Sequence, residues 1–340
     1  MTAIEVSIVT EAFNLTEGQS AAALAKTVAV LLAITDGHAD REVLFMDPSG
    51  DPEVRSRVPE RFRWIDATGL GYDAQKTLGA QQARGRYVAY LDGDCEPAYE
   101  DWLECLLAPL RADSAEAVTG ITIYDDVSNI GIANTIIDFG YLWDNVGGVV
   151  GCYAGNNAAF VRELRCEIPP PEGRLRCECY SHTQLLAAHG IAIRCVSEAL
   201  VLHALPDLAK ERWRRGYDLA GACWSNPRLP ETVWLAPGEN NVRGLIEYHL
   251  RSDLFHLLNA PEILDVNDAN RDAIWNEILK LRAMDAGGLS VALDEGERNG
   301  WNASARLRTN EPLYGGQDTV NVRSAVDGEV QLGRSFQDFA

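Results

Sequence analysis

The stretch YVAYLDGDCEP, residues 87–97, decides the fold. Its opening residues, YVAYL, form the short apolar run of a strand buried on both faces. The run stops abruptly at Asp92-Gly93-Asp94, so two carboxylates stand at the mouth of that strand. In an open α/β sheet, ligands bind beyond the carboxyl ends of the strands. A glycine between the acids lets the backbone turn tightly. Two acids so placed suit a hard divalent cation carrying a phosphorylated ligand. A capped turn after a strand has the same local sequence, so the surroundings must decide.

Working outward, residues 4–10 (IEVSIVT) read as a buried first strand and 16–33 as the helix after it. Residues 41–46 form a second strand that ends in the turn cluster Asp47-Pro48-Ser49-Gly50-Asp51. A short strand over 62–66 and a helix over 72–84, stopping at Gly85, lead into the strand 87–91. The helix 99–110 follows, with Trp102, Leu103, Leu106 and Leu110 at helical spacing. This order predicts an α/β fold: a mostly parallel sheet flanked by helices on both faces. Beyond 124 the pattern loosens into a glycine-rich stretch (147–157), a strand over 158–161, a proline loop (169–171) and a helix over 180–189. Extended segments at 191–196 and 199–202 come next. Helices are expected over 207–223, 239–260 and 268–284, and 287–340 reads as a polar, hairpin-like appendage or tail. The stripe Leu245, Ile246, Leu250, Leu254, Leu257 and Leu258 suits packing on the catalytic domain or a homodimer interface.

Composition narrows the function. The chain has 340 residues, an apolar fraction of 46% and a net charge of -20, with a pI near 4.7. So acidic a surface argues against nucleic-acid binding, which needs clustered Lys and Arg, and against adhesion to anionic lipid. An anionic nucleotide would need a local device, a metal ion or an arginine cluster. The eight cysteines show no disulfide framework, no run of 18 apolar residues exists, and 4–9 is too short for a signal-peptide core. The expectation is a cytoplasmic protein with reduced thiols and no transmembrane segment.

Taken in order, five segments resemble the family 2 glycosyltransferases, whose GT-A fold joins a nucleotide-binding Rossmann-like half to an acceptor half. The resemblance covers residues 4–225. VSIVTEAFN (6–14) looks like the family's opening strand and turn, with Asn14 in place and Glu11 where a proline is usual. Asp47 matches the aspartate after the second strand, with an implied role on the base or ribose. Residues 71–86 resemble the helix before the D-x-D, which would bring Asp73 and Lys76 toward the donor. Asp92, Gly93 and Asp94 look like the D-x-D itself: Asp94 the direct Mn²⁺ or Mg²⁺ ligand, Asp92 on the ribose or reaching the metal through water. Asn156, in Gly155-Asn156-Asn157, resembles an element beside the donor sugar. His203 matches a metal-binding histidine, and Arg212, Arg214 and Arg215 a basic helix start able to grip the diphosphate.

The chain departs from the family at Glu178-Cys179, where a Glu-Asp pair is usual and its aspartate is commonly the general base. A thiol with an ordinary pKa near 8.5 suits that work poorly, so Glu178 is the expected catalytic base, with Glu100, Asp125, Asp126 or Asp144 as alternatives. Cys166, Cys177, Cys179 and His182 fit no standard zinc spacing and read as core residues. The domains implied are 1–225 catalytic (about 1–97 nucleotide-binding, 98–225 acceptor), 226–286 a helical extension and 287–340 the appendage. The activity implied is metal-dependent transfer of a sugar from a nucleotide-diphosphate donor, UDP-sugar first and GDP-mannose second, to an acceptor hydroxyl with inversion. The acceptor is a saccharide, a lipid-linked sugar or a natural product. Rival expectations are a retaining transferase of the same fold and a scaffold protein that binds nucleotide sugar without turning it over.

Overall fold

A computed structural model describes residues 3–11, 21–143, 148–171, 178–225, 231 and 242–299. In chain order its elements begin with β1 (Val6–Glu11), α1 (Ala21–Thr35), β2 (Arg41–Asp47), α2 (Pro52–Arg57), β3 (Arg63–Asp66), α3 (Tyr72–Gln82), β4 (Tyr87–Leu91), β5 (Cys95–Pro97), α4 (Trp102–Arg111) and β6 (Ala117–Tyr124). Then come α5 (Asn129–Phe139), β7 (Val149–Val150), β8 (Asn157–Val161), α6 (Arg162–Glu167), α7 (Glu178–Ala188), β9 (Ile193–His203), α8 (Leu208–Ser225), α9 (Val242–Leu258) and α10 (Arg271–Asn299).

One sheet runs in the order β3-β2-β1-β4-β8-β6-β9-β5, with β7 added against β9. It is parallel across β3-β2-β1-β4, and β8 then pairs antiparallel with both β4 and β6. The α/β expectation holds, and the parallel part is built from strands within residues 6–91. Every residue of β1 and β4 is buried, as expected of strands covered on both faces. Because β1, β2 and β4 run the same way, Glu11 and Asp47, the last residues of β1 and β2, and Asp92, which follows β4, come to one edge. Helix α3 lies close on β1. A Cβ added to Gly79 would meet the Val9 side chain at 2.5 Å, so only glycine allows that approach. The contact fixes where the first turn of α3, carrying Tyr72, Asp73 and Lys76, meets the strand ends.

The chain forms two compact units. Of the described residues, the first holds those within 3–123, 148–171 and 178–204; the second holds 124–143 and those from 205 to 299. Within the second unit α10 packs on α5, α8 and α9. Helix α10 continues unbroken through 287–299, where the sequence suggested a polar appendage. Gly287-Gly288 reads as a helix stop, but Gly288 serves a close crossing: a Cβ there would meet Trp213 O at 1.9 Å, and one at Gly216 would meet Asp285 O at 1.8 Å. This crossing ties 208–225 to α10, and both lie in the second unit. Residues 300–340 lie outside the described residues. The two extended segments expected at 191–202 are one strand, β9.

Short elements were not foreseen. Helix α2 starts at Asp51, whose carboxylate accepts from Glu53 N at 2.8 Å with Pro52 at the first helical position. Helix α5 starts at Ser128, whose hydroxyl accepts from Gly131 N. Both caps sit in what reads as plain turn sequence.

Candidate active site

The D-x-D turn closes by a hydrogen bond from Cys95 N to Asp92 O, 3.1 Å. The chain then enters β5, which pairs antiparallel with β9 so that Cys95 stands opposite His203. Ala204 N donates to Asp94 O at 2.9 Å, extending the ladder to the second acid. The Thr27 hydroxyl of α1 donates to Gly93 O and pins the turn from the other side. The backbone therefore brings Asp94 and His203 together across some hundred residues of sequence.

The two acids of the motif live in different surroundings. Asp92 is 3% exposed. Its Oδ1 accepts from Lys76 Nζ at 2.6 Å and its Oδ2 from the Tyr72 hydroxyl at 2.5 Å. Lys76 is also buried, and its ammonium further donates to Gly155 O at 2.6 Å and to the Tyr72 oxygen. Three donors thus meet three acceptors, the full capacity of an ammonium. Burial by itself would lower the Lys76 pKa, but Asp92 and Glu11 hold it above its ordinary value. The Tyr72 hydroxyl is pushed well up by burial and by Asp92, so it stays a donor at neutral pH. Asp92 is an orienting carboxylate with both oxygens engaged.

Asp94 is the acid turned toward His203, with Oδ2 3.7 Å from Nε2. His203 Nδ1 lies 2.7 Å from Ala204 O. A carbonyl only accepts, so Nδ1 carries a hydrogen, and in the neutral ring it is Nε2, facing Asp94, that is left with a lone pair. A backbone carbonyl on the second ring nitrogen is the usual way a metal-binding imidazole is oriented. The separation exceeds a hydrogen bond and still lets one cation touch both atoms at about 2.1 Å each. Carboxylate and imidazole together fit a divalent ion.

Asp47 is fully buried, and its Oδ1 accepts from Ser49 N and Ser49 Oγ at 2.9 and 2.6 Å. Its Oδ2 is buried without a hydrogen-bond partner. The turn-capping and ligand-binding readings therefore coexist, one on each oxygen. Glu11 is buried at the end of β1, within electrostatic reach of Lys76 and Tyr72. Asn14 lies outside the described residues, as do Cys177 and Asp144.

Asp73 and Glu178 meet, although 105 positions separate them in sequence: their side chains hydrogen-bond, α3 supplying the first and the start of α7 the second. Burial raises the Asp73 carboxyl to about 6, against the pull of Lys76, Glu178 and Arg165. Cys179 sits beside them, its Sγ 3.0 Å from where a Gly155 Cβ would be. Asn156 is buried and accepts from Thr122 Oγ1 at 3.0 Å. Its neighbour Asn157 braces the sheet, accepting from Trp102 Nε1 at 2.9 Å and donating to Ile121 O and Ala199 O.

Sequence reasoning missed Tyr72 and Arg165. Arg165 is 2% exposed, lies over the Tyr90 ring, and has Nε and Nη1 buried without hydrogen-bond partners. No spacing in the sequence points to it. Tyr72 was legible only as the residue opening the helix before the D-x-D.

One expectation changes. Arg212 and Arg215 belong to the second unit, where both bind Asp138; Arg215 also pairs with Glu211 at 2.7 Å, and Arg214 does the same. The Arg212 side chain is 1% exposed and neutralised there, so its role is structural, and no phosphate clamp is assigned to this cluster. His182 accepts from the Tyr153 hydroxyl on Nδ1 (3.0 Å) and donates from Nε2 to Ile168 O (2.7 Å). Burial and Arg165 lower it to about 4. It is a neutral core histidine with both nitrogens occupied, as expected of a residue outside any zinc site. Of the alternative bases, Asp125 and Asp126 accept from Leu205 N and Ser128 N within the second unit, and Glu100 is exposed.

No helix among the described residues is long and apolar enough to cross a membrane. Residues 7–166 match the family model described as glycosyl transferase family 2. Among solved structures, the chain is similar to a mannosyltransferase, PcManGT from Pyrobaculum calidifontis in complex with GDP-Man and Mn²⁺. The TM-score is 0.55 and the identity 14%, over 88% of each chain. S. aureus TarS 1–349 aligns at TM-score 0.44 and 14% identity, over 88% of this chain and 92% of that one. No curated protein matches the sequence. The matched segment contains most of β1, the D-x-D turn and the Gly155-Asn156-Asn157 element, and the chain carries the mixed sheet of the GT-A fold.

Proposed function

We propose that the protein is a divalent-metal-dependent glycosyltransferase that moves a sugar from a nucleoside-diphosphate donor to an acceptor hydroxyl with inversion. The observation that carries this reading is the division of labour in the D-x-D. Asp92 is locked by Lys76 and Tyr72, while Asp94 faces the lone pair of His203 at the carboxyl edge of the parallel strands. Asp94 and His203 would hold Mn²⁺ or Mg²⁺, which supplies positive charge where the departing diphosphate becomes negative. In an acidic chain whose cationic cluster is already neutralised, such an ion is the device that makes an anionic leaving group acceptable.

Asp47 Oδ2 offers the nucleoside a buried acceptor. Uracil and guanine both present ring N–H donors to such an oxygen, so a UDP-sugar is the first donor to test and GDP-mannose the second. Lys76, through Gly155 O, and Asn156 fix the floor beside the sugar. The base is Glu178 acting with Asp73. Asp73, held near 6, is ionised at neutral pH and hydrogen-bonded to Glu178, so the pair can take up a proton from a hydroxyl attacking in line. The pair thereby does the work of the aspartate that Cys179 replaces. The test is donor turnover with UDP- and GDP-sugars in Mn²⁺, with the anomeric configuration of the product read by NMR. An inverted product from one donor class, lost on chelation, is expected; turnover unaffected by chelation refutes the metal-dependent reading, and a retained configuration refutes the in-line base.

A further inference from the structure

Cys95 was not among the expected site residues, yet its sulfur lies with the two expected metal ligands. The antiparallel pairing Cys95↔His203 puts both side chains on the same face of the sheet. The turn places Asp94 next to them, with Cys95 Sγ 3.7 Å from Asp94 Oδ1. One ligand atom each from Asp94, Cys95 and His203 lies within 4.8 Å of the other two. His203 Nε2 faces this side, 3.7 Å from Asp94 Oδ2. The thiol is 4% exposed, which screens it from bulk solvent.

We propose that Cys95 is the third protein ligand of the divalent cation, making an oxygen, nitrogen and sulfur set that favours borderline ions such as Zn²⁺ and Co²⁺ over Mg²⁺. This rests on the metal-dependent reading above and adds to it an ion preference. Carboxylate and water suit Mg²⁺, imidazole suits the later divalent ions, and thiolate draws the site further toward them. As the metal–sulfur bond forms, the thiol proton passes to solvent and no atom changes oxidation state. The site would keep open positions for a diphosphate, as catalytic sites with three protein ligands do.

The experiment is titration of the full chain with Co²⁺, read by absorption. Sulfur ligation gives a thiolate-to-cobalt charge-transfer band in the near ultraviolet beside the visible d–d bands. The expected result is that both appear in the wild type and that Cys95→Ser keeps the d–d bands, loses the charge-transfer band and weakens Co²⁺ binding by about tenfold or more. X-ray absorption on the wild-type Co²⁺ protein needs no variant and expects one sulfur at about 2.3 Å. Visible bands without a charge-transfer band, a charge-transfer band that survives in Cys95→Ser, or a metal with only nitrogen and oxygen neighbours overturns the role of Cys95 and leaves the metal reading standing. No Co²⁺ binding by the wild type, with or without UDP or GDP, overturns both.

Discussion

Replacing Lys76 by methionine removes one charge and three hydrogen bonds while keeping nearly the same length. The Lys76 and Asp92 side chains are 6% and 4% exposed, so water cannot take the place of the lost partner. Asp92 Oδ1 and Gly155 O would each lose a 2.6 Å bond. Breaking a buried ion pair by removing one partner costs roughly 3–5 kcal/mol, because the other charge stays buried. At about 2–4 °C per kcal/mol for a domain of 150–250 residues, the melting temperature should fall by roughly 6–20 °C. Adding Asp92→Asn neutralises the stranded carboxylate, so the double variant should recover at least about half of that loss. Thermal and urea unfolding of the two single variants and the double variant close the cycle. Since Asp92 holds the ammonium above its ordinary pKa, the lysine's contribution is present through neutral pH and is lost as pH rises into strong alkali. A loss below about 1 kcal/mol in Lys76→Met, or no recovery in the double variant, would refute the claim that this pair is buried and mutually dependent.

Further outcomes follow from the same geometry. With the Asp73 carboxyl raised to about 6, kcat/KM should climb with pH through that region and level off above it. Asp73→Asn should move or abolish the inflection, and Glu178→Gln should lower kcat by about 100- to 10,000-fold; a flat profile in the wild type contradicts the base assignment. The raised pKa also favours folding with Asp73 protonated, so its contribution to stability is fully present below about 4 and lost as pH rises through about 6. Cys179→Asp should not raise turnover, because Glu178 and Asp73 already supply the base; a large gain would favour a decayed site. In the second unit, Asp138→Asn removes the nearer carboxylate from buried Arg212, leaving Asp285 at 3.7 Å, and should cost roughly 3–5 kcal/mol in urea unfolding. Burial would raise Asp138 and Glu211, but Arg212 and Arg215 hold Asp138 below the usual range, and Arg215 and Arg214 bring Glu211 to about 2. Their stabilisation is therefore present above about pH 4 and lost as pH falls toward 2.

The parallel half of the sheet was legible because its strands are buried on both faces, and a continuous apolar run such as YVAYL has few other readings. The pairing of β5 with β9 was not legible. A three-residue strand carries no period of its own, and only that ladder brings Cys95 opposite His203. The helix through Gly287-Gly288 was misread for a related reason. Local propensity marks glycine as a helix stop, whereas here a backbone carbonyl of the neighbouring helix occupies the space a Cβ would need. Asp92 and Asp94 could be named from the motif, but their unequal roles could not. Those roles depend on Lys76 and Tyr72 reaching one acid and not the other. The arginines misled because a cluster of like charge in sequence says nothing of Asp138, which neutralises it from another helix.

The central claim is that a nucleoside diphosphate binds only together with a divalent ion held by Asp94 and His203. Calorimetric titration of UDP and of GDP into the wild type, Asp94→Ala and His203→Ala, with Mn²⁺ and with chelator, measures it directly. The account predicts that one nucleotide binds the wild type in Mn²⁺, that chelator abolishes the heat, and that Asp94→Ala abolishes it even with Mn²⁺ present. At a hundred times its Kd, that nucleotide should also stabilise the fold by about 2.7 kcal/mol. Equal binding with and without metal, or full binding by Asp94→Ala, would contradict it.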